Sequence, residues 1–325
     1  MDFDDNSTSF NKVKSEIKNS QGVSYSDFLR TLTPNFRVAQ RDLLLGHMAL
    51  VTTLLVLCFL PLSSWPISIL AILAGSFLIG YWFAYIQLFI HEAAHYNMAA
   101  KKENNEFIGN FAIGILVGSS IKDYRKIHFQ HHRALGTTED SENSYFFPFN
   151  IIMIFKMLLG IRVVEVIMNR KKIVDQVKPN DGGKPRISGI LIAGLILHCS
   201  ILGLLFITQE WIALFSWGIG IAIVFPFFGA VRQILEHRSL DANPQIDYSE
   251  VDHGAMTRIF GDDIFSRTFG AAGFNKHLIH HWEPRLSYTV YDNVLAYISD
   301  TQLAETIDKR SSSYGRVFVD LLKSS

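Results

Sequence analysis

The chain holds 12 histidines in 325 residues, and nine of them fall into four short clusters. His91 and His95 stand four apart in His91-Glu92-Ala93-Ala94-His95. His128, His131 and His132 form an H-x-x-H-H triplet, and His277, His280 and His281 form a second one. His237 follows Glu236 on its own. On a helix, residues i, i+3 and i+4 share one face with Cβ atoms about 5–6 Å apart. Each of the first three clusters can therefore aim two or three imidazoles at one point. Nine imidazoles exceed a closed tetrahedral zinc site and suit two metal ions of about five or six ligands each. Imidazole serves Zn, Cu, Fe and Ni alike, so ligand type leaves the metal open.

Neighbouring groups extend this reading. Glu92, Glu236, Asp140 and Glu283 lie next to the clusters, where a carboxylate can hold the outer N–H of a ligating ring. His91-Glu92-Ala93-Ala94-His95 is also a literal H-E-x-x-H, the zinc-protease pattern of two ligands and a general base. That alternative has only Asp241 as a loose third ligand and leaves the other clustered histidines unused. The remaining three histidines are expected outside the metal set: His198 as a mid-span hydrogen-bonder, His47 ahead of the first span and His253 in a polar loop.

The elements that must position these rings are apolar helices. Hydrophobic residues make up 49 % of the chain and charged ones 18 %, against roughly 25 % charged in a soluble domain. No Lys, Arg, Asp or Glu occurs from Leu43 to Ile90. A bilayer core of ~30 Å needs about 20 apolar residues, and two blocks supply four such spans, at about 44-62, 66-90, 187-207 and 211-231. The first pair is split at Pro61-Leu62-Ser63-Ser64-Trp65-Pro66 and the second at Thr208-Gln209-Glu210, with Trp211 as an interfacial anchor. Asp181-Gly182-Gly183 marks a turn into the third span.

Neither short turn contains Lys or Arg, so all 30 basic residues lie in the N-terminal arm, the loop 97-186 and the tail 232-325. The positive-inside tendency places these three segments, and every histidine cluster, in the cytosol. Within the loop, 107-117 is too short to span, and 146-168 reads as an amphipathic interfacial helix. The polar start to about residue 22 reads as a frayed tail with no signal peptide. Zero net charge excludes a nucleic-acid footprint. Cys58 and Cys199, both inside apolar runs, exclude a disulfide framework. The expected fold is an all-α integral membrane protein. An arm (1-43) with an interfacial helix precedes one membrane domain (44-325), in which two hairpins are capped by a cytosolic helical domain.

With its three boxes in this order, His91-Glu92-Ala93-Ala94-His95, His128-Phe129-Gln130-His131-His132 and His277-Leu278-Ile279-His280-His281, the chain resembles the membrane-bound fatty acid desaturase and hydroxylase superfamily. The resemblance runs from the first span to about Pro284. It implies an oxidoreductase with a di-iron centre that uses O2 and two external electrons to abstract hydrogen from an acyl chain. It implies His91, His95, His128, His131, His132, His237, His277, His280 and His281 as iron ligands. Four residues before His237, Gln233 stands where such members usually carry Asn; a longer amide there can still serve the outer shell of the metal site. Asn275-Lys276 before the third box and Trp282-Glu283-Pro284 after it resemble acyl-lipid members. The implied partners are an acyl-lipid or acyl-carrier substrate, membrane lipids and a ferredoxin- or cytochrome b5-type electron donor. Hydroxylation is the alternative outcome within the superfamily.

Overall fold

The computed structural model describes residues 7–61, 64–162, 164–165 and 188–324. Leu62 and Ser63 of the first turn, the Asp181-Gly182-Gly183 turn, the end of the 146-168 segment and Ile187 at the head of the third span lie outside these residues. Among the described residues every regular element is helical, and only isolated β-bridges occur, Lys18 with Ser24 and Ile259 with Ser311.

Six helices organise the site. They are α1 (Phe36–Cys58), α2 (Trp65–Ala94), α3 (Ile121–Ala134), α4 (Gly189–Ile207), α5 (Trp211–His237) and α6 (His277–Trp282). Four of these, α1, α2, α4 and α5, are long and apolar enough to cross a membrane. Their outward faces are apolar: Leu44, Met48, Val51 and Leu55 on α1 and Leu70, Leu73 and Phe77 on α2 are exposed. Two hairpins buried in a soluble protein would carry charge there, so these surfaces belong in lipid. The chain is an all-α membrane protein.

The helices overrun the apolar windows for local reasons. In α1 the Asn35 side chain accepts the Val38 N–H, so the helix starts before Leu44 and carries Arg37, Arg41 and Asp42 beyond the apolar run. It also ends at Cys58, short of residue 62. Helical hydrogen bonding takes α2 on through His91, and α5 through His237. Inside α5 a π-helical stretch, Gly220–Val224, precedes Pro226. Proline cannot donate to the carbonyl four residues back and its ring crowds that carbonyl, so the widened turn accommodates it. Gly80 lets α2 pass close to this stretch, since a Cβ there would stand 2.6 Å from Val224.

The segment expected to be too short to span is a helix, Lys102–Phe107, followed by a π-helical turn, Ile108–Gly114, and a short helix, Ile115–Val117. It packs on α2 and α4. His47, which lies within α1 and not ahead of it, approaches the Ala112 carbonyl through Nε2 at 2.8 Å. His198 does the same for Leu116 at 2.9 Å. Both rings thus serve backbone carbonyls that irregular winding would leave unpaired in an apolar setting.

Two expectations are corrected. The 146-168 segment is not one helix from Phe146, because Pro148 disfavours helical winding at the residue before it. A 3-10 turn, Ser144–Phe146, is followed by a helix, Ile151–Leu158, which ends before Gly160 at φ +71°. Nor are residues 7–22 a frayed tail, and residues 1–6 of that stretch lie outside the described residues. Phe10 and Ile17 are fully buried, and the Phe10 ring stacks on Trp282 at 4.7 Å. Tyr25 packs on Tyr297, and Lys14 pairs with Glu283 at 3.2 Å. A few apolar residues spaced through a polar stretch lock the arm onto the segment that carries α6.

Candidate metal centre

Local geometry sets each cluster in place. At the end of α2 the Tyr96 N–H bonds the Ala93 carbonyl and the Asn97 N–H bonds the Glu92 carbonyl, a Schellman closure. Tyr96 occupies the left-handed position at φ 63°, which costs a non-glycine residue about 1–2 kcal/mol. Arg125 and Lys102 lie over its ring at 4.2 and 5.2 Å and hold it there. α3 begins at Ser120, whose Oγ accepts the Asp123 N–H. α6 follows a left-handed turn at Ala272 and Gly273. Gly273 is required, because a Cβ would meet the Tyr288 Cβ at 2.4 Å.

All nine clustered histidines meet in one assembly, seven of them buried and His95 and His132 half-buried. His91, His95, His128 and His280 form one group and His131, His237, His277 and His281 another, with one ring nitrogen from each residue lying within 4.8 Å of the others in its group. His132 joins the first group, its Nε2 2.9 Å from His128 Nε2 and 2.8 Å from His280 Nε2. His128 Nε2 is also 3.1 Å from His95 Nε2. In the second group His277 Nε2 stands 3.0 Å from His237 Nε2 and 3.1 Å from His281 Nε2. One proton cannot serve three converging ring nitrogens. Two nitrogens each ~2.1 Å from a shared ion stand about 3.0–3.4 Å apart, which is close to what the rings show. The donor sets fit two metal ions.

Electrostatics agree. Burial, then the charge neighbouring rings would carry, pushes His95, His132, His277, His280 and His281 below the ordinary imidazole range. Neutral rings are what a metal needs. Burial lowers His128 too, against the opposing pull of Glu142. His131 differs: burial acts downward, but Asp140 and Glu142 outweigh it and lift the ring to about 9. Its Nδ1 lies 2.8 and 3.0 Å from the two Asp140 oxygens, while its buried Nε2 has no hydrogen-bond partner. An ion at Nε2 would take the place of that proton.

The outer contacts divide the expected carboxylates. Asp140 holds His131 directly. Glu236 pairs with Arg232 at 2.7 Å and stands 3.8 Å from His277 Nε2. Gln233 does not reach a ring; its Nε2 donates to Glu142 Oε2 at 2.8 Å, and Glu142 Oε1 lies 3.2 Å from His128 Nδ1. Glu92 and Glu283 are corrections. Glu92 lies about 100° around the helix from His91 and accepts the Tyr288 N–H at 3.4 Å, away from the rings. Glu283 faces Lys14. Three contacts escaped the sequence reading: Glu142, the Tyr291 hydroxyl 3.1 Å from His280 Nδ1, and the Met256 carbonyl 2.9 Å from His237 Nδ1. The acidic run from Glu139 to Glu142, just after the second box, was the one available signal for Glu142.

Residues 67–310 match the sequence model of the fatty acid desaturase family, three quarters of the chain and all nine histidines. The chain belongs to this family. No curated protein matches it in sequence. Membership in the fatty acid desaturase family makes the chain an oxidoreductase of desaturase or hydroxylase type. It also removes the zinc-protease alternative, which the direction of Glu92 already disfavours.

Proposed function

We propose that the chain is an O2-dependent di-iron desaturase that introduces a double bond into the acyl chain of a lipid. The observation that carries this reading is the convergence of nine imidazoles into two adjacent groups beside the ends of two membrane-spanning helices, α2 and α5. Iron bound there would supply oxygen activation and hydrogen abstraction. His91, His95, His128, His132 and His280 would hold one ion, and His131, His237, His277 and His281 the other. The protein's own part is positional. Asp140, Glu142 and the Met256 carbonyl fix the rings from behind, and Phe274 packs against both His91 and His277 at 4.6 and 4.8 Å, keeping water from that side. Lipid mass spectrometry of a host with and without the gene tests the reading. A product two hydrogens lighter supports it; a product one oxygen heavier replaces it with hydroxylation.

Metal content is a separate expectation. Detergent-purified protein from iron-replete cells should contain about two irons per chain, counted by elemental analysis. About one zinc and negligible iron, with no activity restored by ferrous iron, would refute the assignment.

We further propose that the histidine end faces the cytosol, because every Lys and Arg lies on that side of the spans. Cysteines placed at Ser64 and Gln209 should react with an impermeant reagent in intact cells, and one placed at position 180 should not. The opposite pattern would reverse the topology.

A further inference from the structure

Given the proposed function, the reaction must balance: R–CH2–CH2–R′ + O2 + 2 e− + 2 H+ gives R–CH=CH–R′ + 2 H2O. The two added electrons come from a reductant, and a one-electron carrier must deliver them in two visits. The place where the metal centre comes nearest to solvent is therefore significant. Of the nine histidines only His95 and His132 keep partial exposure. His132 belongs to α3, and His95 lies against it. The exposed Phe129 ring packs 5.2 Å from the His95 ring, and His132 adjoins the exposed Arg133.

The outer face of α3 has a definite character. Lys122, Lys126, Phe129 and Arg133 are all exposed and recur at helical spacing, opposite the buried His128 and His131. They form a stripe about 16 Å long, with three cations around one aromatic ring. Exposed Lys101 and Lys102 extend the basic surface beside Tyr96 at the end of α2. Asp123, 3.9 Å from Lys126, and Glu106, 2.8 Å from Arg125, offset part of this charge. Glu103 and Glu139 are the exposed acids nearby in sequence. The surroundings stay net positive in a chain whose total charge is zero. An aromatic centre with a charged rim is the usual make-up of a transient protein contact, and charge complementarity raises its association rate.

We propose that the outer face of α3, centred on Phe129 and flanked by Lys122, Lys126 and Arg133, docks an acidic one-electron carrier protein beside His95 and His132. Anionic lipid headgroups would also meet such cations, but they would not explain why the stripe overlies the two most accessible histidines.

The test uses the full chain in nanodiscs of neutral phosphatidylcholine. Two redox-silent acidic probes are applied, a gallium-substituted ferredoxin and a zinc-porphyrin soluble cytochrome b5 domain. At least one should bind the wild type with an association rate that falls steeply with salt. The triple variant Lys122→Glu, Lys126→Glu, Arg133→Glu should lower that rate at least ~10-fold at low ionic strength. Turnover driven by dithionite with a small viologen mediator should be the same in both proteins, showing that the variant is folded. Failure of both probes to bind the wild type would overturn the proposal. So would an unchanged association rate in the variant, or an effect confined to binding of phosphatidylserine vesicles. Absence of turnover with the chemical reductant in the wild type would count against the desaturase reading instead, while the binding result would still decide the docking surface.

Discussion

The His237→Ala protein is expected to purify with about one iron per chain instead of about two and to form no unsaturated product. The reason is how the two triplets divide. In the second box His128 and His132, four apart, go to the first group, and His131 goes to the second. In the third box the division is reversed: His277 and His281 go to the second group and His280 to the first. His91 and His95 then complete the first group, which leaves the second with three rings until His237 joins it. The ring is fixed for the task, with Nδ1 on the Met256 carbonyl and Nε2 3.0 Å from His277 Nε2. The competing role, a cation against the C-terminal end of α5, would be worth ~0.3–1 kcal/mol and its loss would leave iron and turnover nearly intact. His253→Ala is the control. Its ring nitrogens meet only backbone, the Gly254 carbonyl at 2.9 Å and the Ser239 N–H at 3.3 Å, and its ring packs on Tyr145 and Tyr248 and on none of the nine histidines, so its iron content should stay at the wild-type level. Full iron in His237→Ala would remove this residue from the ligand set.

The division of the triplets also shows what sequence could and could not reveal. Spacing by three and four places rings on one helical face, so eight of the nine histidines were legible as ligand clusters from His91, His128, His277 and their neighbours, while His237 was legible only by its place just past the fourth span. The partition was not, because i and i+3 diverge by enough to serve different ions and only the crossing of α2, α3, α5 and α6 decides which. The spans were legible because lipid demands an unbroken apolar run. Their ends were not, since Asn35 starts α1 and the Schellman closure at Tyr96 ends α2, and neither depends on hydropathy. Glu92 shows the same limit: adjacency in sequence suggested a contact with the rings, but its position around α2 turns it toward Tyr288. The arm failed for another reason. Phe10, Ile17 and Tyr25 are too sparse to register as periodic, yet each is buried against a surface supplied by residues 278–307.

Asp140→Asn should weaken metal retention by about 10–100-fold, the usual cost of losing a group that orients a ligand from behind. Asp140 is fully buried as a side chain and grips His131 Nδ1 with both oxygens. It also accepts the Tyr145 hydroxyl and the Glu142 N–H, the latter at 2.8 Å. The carboxylate can only accept, so it forces the Nδ1–H tautomer and leaves Nε2 free for the ion. An amide of the same shape can turn its NH2 toward the ring, favour the opposite tautomer and put a proton where the metal must bind. The effect should spread, because Glu142 is set by the same residue and in turn holds His128 of the other group. Both ions are therefore expected to leave faster, seen as quicker iron loss to a chelator and a changed Mössbauer spectrum of the iron that remains. Glu283→Gln provides the comparison: its partner is Lys14, so it should cost some stability in the arm and leave the chelation rate unchanged. Equal chelation rates for Asp140→Asn and the wild type would show that His131 needs no help from its carboxylate, and would return Asp140 to a purely structural role under the Tyr145 hydroxyl.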